Sequence, residues 1–366
     1  MKNKSGKLEM EMSPELMAGQ MVLCGFSGKS VPPELSRDLS KGTVSGVVLF
    51  ESNLGTAEEV RELTDEIRKA ASMPVLIAID HEGGRVQRLK ETFTQWPSPR
   101  KLGRADSGTA REVARVMGAE LLAAGINTNF MPVLDVDSNP QNPVIGDRSF
   151  GSDPLRVGHL GAAMIEGFKE AGIICCGKHF PGHGNTSVDS HDDLPVVDDD
   201  AVTLERRELR PFYEAVRTRV PMLMTAHIKA TALDPYNPAT ISNRILRELL
   251  RDEMGFSGVV VTDDLEMGAL SNYMNLEDAV FSAVRAGADL VMACSGPEAA
   301  RRARETLVKA HDHGALSYGE LFLSARRVLD MKEKYLFTDL PPKKKLKKII
   351  GTDEHRALAD KVGMSS

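Results

Sequence analysis

The chain has 366 residues, 42% apolar and 27% charged, with 31 Gly and 19 Pro; this is the composition of an ordinary globular protein and excludes collagen, coiled coil and wholesale disorder. At roughly 100–200 residues per domain it can hold two or three domains, or one α/β barrel with a tail. A formal net charge of −6 supplies no overall attraction to nucleic acid or an anionic membrane.

Residues 1–13 are charged and lack the apolar core of a signal peptide, and no run of 18 apolar residues occurs anywhere. The expectation is a soluble, cytoplasmic protein. Cys24, Cys175, Cys176 and Cys294 are too sparse for a disulfide scaffold and read as reduced core thiols. Eight short β-branched and apolar runs follow, at 21–25, 46–50, 75–80, 128–134, 173–178, 221–226, 259–263 and 289–293. They are nearly continuously hydrophobic, as strands covered on both faces are. Helical periodicity fills the gaps, at 56–70, 109–124, 154–171, 202–217, 243–254 and 277–286.

Eight strand–helix units predict a (β/α)8 TIM barrel. The rival, a doubly wound open sheet, needs a glycine-rich phosphate loop after its first strand, and Cys24-Gly25-Phe26-Ser27-Gly28-Lys29 matches that poorly. A further helix is predicted over 318–334. The composition then changes to Pro341, Pro342 and a lysine run (Lys343, Lys344, Lys345, Lys347, Lys348), with a last helix over 353–362. This gives a barrel domain over 1–337 and a basic, linker-like tail over 338–366, its lysines read as a solvated face.

In a barrel the chemistry gathers at the C-terminal ends of the strands. Here the strand ends carry Asp80, Asp135, Lys178 with His179, His227, and Asp263 with Asp264. Any one Asp there is equally a helix N-cap, but five strands delivering ionisable groups to one rim concentrate charge in the way a functional site does. The longest rim loop, 179–195, holds His179, His183 and His191 between Gly and Pro hinges. Asp189 and His191 are spaced so that the carboxylate can orient the imidazole and make it a proton carrier. A divalent metal on His179, His183, His191, Asp189 or His227 is a competing reading, although no HxH or HExxH pair is present; polar loop contacts without function are another. Met131, Met222, Met224 and Met292 read as core, Asp137 as a loop residue, and Trp96 as either interfacial packing or a sugar platform.

Six segments resemble the family 3 glycoside hydrolases: GVVLF at 46–50, IDHEGGRVQR at 79–88, IGDRSF at 145–150, KHFPGHG at 178–184, DSH at 189–191 and TDDLEM at 262–267. The KHFPGHG and DSH segments are similar to its β-N-acetylglucosaminidase (NagZ-type) branch. The resemblance implies that Asp263 is the nucleophile, that His191 oriented by Asp189 is the general acid/base, and that Asp80, Arg88, Arg148, Lys178 and His179 grip the hydroxyls and N-acetyl group. It implies an exo-acting retaining enzyme on terminal β-linked N-acetylglucosamine, in peptidoglycan fragments or chitooligosaccharides. The expected partner is a small carbohydrate, with no cofactor, no metal, no nucleic acid or membrane, and a monomeric state. Phosphorolysis and β-glucosidase activity are the alternatives within the family; a metal-dependent hydrolase or an inactive sugar-binding protein are those outside it. Segment 350–359 resembles the linker into a second domain of longer members.

Overall fold

The computed structural model describes residues 12–90, 92–336 and 339–364. Eight parallel strands close a barrel: β1 (Val22–Gly25), β2 (Gly46–Leu49), β3 (Leu76–Ile79), β4 (Thr128–Asn129), β5 (Ile174–Phe180), β6 (Met222–Thr225), β7 (Val259–Asp264) and β8 (Leu290–Ala293). Each pairs with its chain neighbour and β8 returns to β1, with Val22 opposite Val291. The expected (β/α)8 barrel is therefore the fold.

The continuous apolar runs have their cause in two packed layers. Leu23, Val48, Ile174, Met222, Met224, Val259 and Met292 fill the barrel interior, while the alternate residues Val22, Val47, Leu223, Val260 and Val291 pack outward against the helices. Helices begin on side-chain caps, as where Thr56 and Glu59 form a reciprocal box at the start of Ala57–Ala70. Trp96 is 4% exposed and packs in the outer layer. Cys24, Cys175 and Cys176 are buried, Cys294 is half-buried, and all four are free thiols.

The fourth run is shorter than predicted. Pro132 has no N–H to give the ladder and β4 stops at Asn129; beyond it the Met131 and Pro132 carbonyls still accept from Cys176 and Lys178 of β5 (3.0 and 3.1 Å), and Val133 bridges Lys178. Residues 339–364 pack against the rest of the chain. Leu346, Ile350, Ala359 and Val362 are buried, and the segment lies on the barrel's outer helices. Arg61 donates to the Pro341 carbonyl (2.8 Å), while Gly351 N–H and the His355 ring both meet Glu120 (2.9 and 2.7 Å). The lysine run keeps an exposed face, with Lys343 paired to Asp65 at 3.1 Å. The expected division at 337/338 lies outside the described residues. No helix among the described residues is long and apolar enough to cross a membrane.

Candidate active site

The C-terminal mouth of the barrel is built from strand ends and the loops that follow them. After β3 and Asp80, the chain makes a tight hairpin, His81–Gly83 against Val86–Gln87. Gly83 and Gly84 have φ of 91° and 57°, and a Cβ on Gly83 would come within 2.5 Å of the Pro97 carbonyl; only glycine fits this turn. The hairpin buries Glu82 completely. Its two oxygens accept from Arg148 (2.9 and 2.8 Å), and it meets the Lys178 ammonium at 2.6 Å. Lys178 also reaches Asp80 at 2.7 Å. Burial alone would raise the Glu82 pKa, but the two cations outweigh it and hold the carboxyl far below its usual range. Arg148 comes from the turn Gly146–Arg148, in a loop rather than on a strand. Arg88 completes this side with a buried Nε that has no protein partner.

Asp135, fully buried, is the organiser of the next sector. It accepts from His179 Nδ1 (2.7 Å) and from the backbone N–H of His183 (2.7 Å). A carboxylate only accepts, so the His179 proton sits on Nδ1 and Nε2 is left to face the cavity. His183 is buried as well, with Nδ1 against Thr186 Oγ1 (2.8 Å) and Nε2 against Ser190 Oγ (3.2 Å). Burial pulls its pKa down to about 4, so the ring is neutral.

On the same loop, Asp189 accepts both the ring Nδ1–H (2.7 Å) and the backbone N–H (2.9 Å) of His191. The expected dyad is present, its imidazole side chain 67% exposed. Opposite, β7 ends in Asp263, whose Oδ1 accepts the Asp264 N–H at 2.9 Å. Burial pushes the Asp263 pKa up, yet His227, His179 and Lys178 together hold it below the ordinary carboxylate value. Asp264, by contrast, is pushed up to about 7 by burial. His227 donates Nε2–H to the Asp264 carbonyl (2.9 Å) and meets Thr240 through Nδ1 (2.7 Å); it caps the strand ends.

Asp80, Arg88, Arg148, Lys178, His179, Asp189, His191 and Asp263 all line one cavity of about 350 Å3. Every site residue expected from the sequence is thus brought to one place. Glu82 and Ser190 carry no expected role from the sequence, and His183 only that of a candidate metal ligand. Asp137 pairs with Arg100 of the short helix Pro99–Leu102. Among the described residues no group of three or more His, Cys, Asp or Glu is placed to hold a metal ion. A hollow of about 450 Å3 at the opposite end of the barrel, lined by Val220, Pro221, Phe256 and Tyr335 among others, contains none of these groups.

Residues 4–331 match the glycosyl hydrolase family 3 N-terminal domain. The chain belongs to glycosyl hydrolase family 3. It is 39% identical over 313 residues to beta-hexosaminidase A of Pseudoalteromonas piscicida, an alignment covering 77% of this chain and 52% of the relative; the chain spans about half of that protein's length. Among solved structures, the family 3 β-N-acetylglucosaminidase of Paenibacillus sp. str. FPU-7 superposes with a TM-score of 0.92 at 37% identity, over 97% of this chain and 69% of that one. NagZ from Neisseria gonorrhoeae, in complex with N-trifluoroacetyl-D-glucosamine, superposes with a TM-score of 0.79 at 31% identity, over 94% and 98%.

The buried histidines of this family 3 barrel give its stability a pH dependence. Burial lowers the pKa of His81 to about 3, of His183 to about 4, and of His227 below its ordinary value. Unfolded histidines take up protons near pH 6.5, so below that the unfolded chain binds more protons than the native one and stability falls as pH falls. Each contributes at most about 1.4 kcal/mol per pH unit. Asp264, with its raised pKa, runs the other way and offsets one of the three. The expected result is a melting temperature that drops between pH 6.5 and 5, followed by circular dichroism. A flat profile there would show that these rings are protonated in the native state.

Proposed function

We propose that this family 3 protein is an exo-acting, retaining β-N-acetylhexosaminidase that removes terminal β-linked N-acetylglucosamine from peptidoglycan fragments or chitooligosaccharides. The observation that carries the reading is the convergence of the Asp263 carboxylate and the Asp189–His191 dyad on one cavity walled by Lys178, Arg148 and Asp80. Asp263 sits on a strand and is held ionised, as a nucleophile must be. It attacks the anomeric carbon while the glycosidic C–O bond breaks and His191 Nε2–H protonates the departing oxygen. In the second step neutral His191 takes a proton from water, whose oxygen bonds to the anomeric carbon as the Asp263 ester bond breaks. Asp189 fixes the tautomer and stabilises the imidazolium.

Arg88, with an unpartnered buried Nε, and the Lys178–Asp80 pair supply donors and an acceptor for sugar hydroxyls and the acetamide. Purified protein incubated with 4-nitrophenyl N-acetyl-β-glucosaminide should release nitrophenol, and absence of release at every pH from 5 to 8 overturns the reading. Because Asp263 is held below the usual carboxylate range, its ionisation should set an acid limb of kcat/KM below that range.

Phosphorolysis is the second reading, favoured by the same dyad. Ordinary retaining enzymes present two carboxylates, whereas a neutral imidazole adds no negative charge against an anionic acceptor. If phosphate is the acceptor, turnover rises with added phosphate and the product is the sugar 1-phosphate.

A further inference from the structure

Ser190 lies between the two dyad residues, and the structure holds it from both sides. Its side chain is buried, with Oγ at 3.2 Å from His183 Nε2, and its carbonyl accepts the Ala269 N–H at 3.0 Å. His183 is itself fixed, its N–H on Asp135 and its Nδ1 on Thr186 Oγ1. The Thr186 hydroxyl also reaches the His183 carbonyl (3.2 Å); both ring nitrogens of His183 are engaged and Nε2 is held on Ser190.

The other side of the grip comes from the segment just after the nucleophile. Gly268 N–H donates to the His191 carbonyl (3.2 Å), Asn272 Nδ2 to the Asp192 carbonyl (2.9 Å), and Tyr273 OH to Asp193 (2.6 Å). A Cβ on Gly268 would lie 2.5 Å from the His191 carbonyl oxygen and 2.7 Å from that of Asp192, so a glycine is what allows the two backbones to meet. The seat is thus anchored to the same stretch of chain that carries Asp263.

We infer that Ser190 is a positioning residue, and that His183 and the segment from Gly268 to Tyr273 form a seat holding the Asp189–His191 dyad at the distance from Asp263 that proton transfer requires. The inference rests on reading that dyad as the acid/base. A group displaced by about 1 Å costs up to roughly 100-fold in rate, and the loss falls only on steps that need a proton moved. Its signature is therefore dependence on the leaving group.

The test compares kcat/KM for 2,4-dinitrophenyl and 4-methoxyphenyl N-acetyl-β-glucosaminides in wild type and in Ser190→Ala, Gly268→Ala, His183→Leu and His183→Gln. In Ser190→Ala, Gly268→Ala and His183→Leu, turnover of the methoxyphenyl glycoside should fall roughly 10–100-fold, with that of the dinitrophenyl glycoside changed far less. Added azide should accelerate their dinitrophenyl reaction and yield glycosyl azide. Azide needs no proton removed: its nitrogen bonds to the anomeric carbon as the Asp263 ester bond breaks. His183→Gln, whose side-chain amide can still hydrogen-bond Ser190 Oγ, should restore the wild-type leaving-group dependence. Should Ser190→Ala fail to fold, the two His183 variants decide alone.

Equal losses on both substrates, or no loss in a folded Ser190→Ala protein, overturn the seat and leave the glycosidase reading intact. A wild-type protein inert on both glycosides overturns the two together.

Discussion

Asp263→Asn is expected to lower turnover by roughly four orders of magnitude or more, the scale on which removal of a covalent nucleophile acts, while leaving the barrel folded. Asparagine keeps the volume, and its Oδ1 can still accept the Asp264 N–H now held at 2.9 Å. What it loses is the charge. The carboxylate is ionised against His227, His179 and Lys178, and an amide oxygen in its place is too weak a nucleophile to form the glycosyl-enzyme. Two measurements check this: nitrophenol release, and intact mass after a rapid acid quench, which should show a sugar adduct on the wild type and none on the variant. A variant with near wild-type turnover would remove Asp263 from the chemistry and send the search for a nucleophile elsewhere in the cavity. Unlike the seat variants, this one should be slow with every leaving group, because the dinitrophenyl glycoside still needs attack at carbon.

Much of this site is legible because barrel topology converts positions along the chain into positions in space. A residue directly after a buried apolar run lands on the rim, and Asp80, Asp135, Lys178, His227 and Asp263 are found there for that reason. The dyad is legible from local spacing, since two residues on one loop need no tertiary information to meet. What sequence reasoning did not reach is what distant segments do to one another. Glu82 sits 66 residues from Arg148 in sequence and finds it only when the hairpin after β3 and the loop after β4 close together. From the sequence His183 is a rim-loop histidine and a candidate metal ligand; its contact with Ser190 depends on a fold of the loop back on itself.

The errors in the elements have equally local causes. The helix expected over 202–217 is interrupted by a π turn at Leu204–Glu208, because Pro211 cannot donate to a preceding carbonyl and its ring crowds the turn before it. The helices Pro33–Lys41 and Pro297–Asp312 each begin on a proline that favours a first helical turn, a start signal carried by the sequence itself. In the tail, the lysines hide an apolar set, Leu346 and Ile350 four residues apart, that packs the segment down.

Glu82→Gln should be the most damaging substitution outside the reacting groups. The native carboxylate neutralises two cations at once, and each is nearly shut off from water: the Lys178 side chain is 2% exposed and that of Arg148 11%. With an amide there, Asp80 remains as the anion for Lys178 and nothing comparable remains for Arg148. Removing one partner of a buried ionic group costs about 3–5 kcal/mol, because the charge left behind stays desolvated. The sign of the pH dependence follows from the native pKa of Glu82 lying below its unfolded value. Its contribution is fully present above the unfolded pKa and is lost as pH falls toward the native one. Urea unfolding at pH 7 should therefore show the full deficit, and the gap between wild type and variant should narrow in acid. On the proposed reading Lys178 and Arg148 grip the sugar, and with their places lost kcat/KM should fall roughly 100-fold, with dinitrophenyl and methoxyphenyl glycosides affected alike. That uniform loss separates a residue that shapes the sugar pocket from one that seats the proton carrier. A Glu82→Gln protein of wild-type stability would mean that Arg148 and Lys178 find other counter-charges, and the cavity wall would have to be redrawn around them.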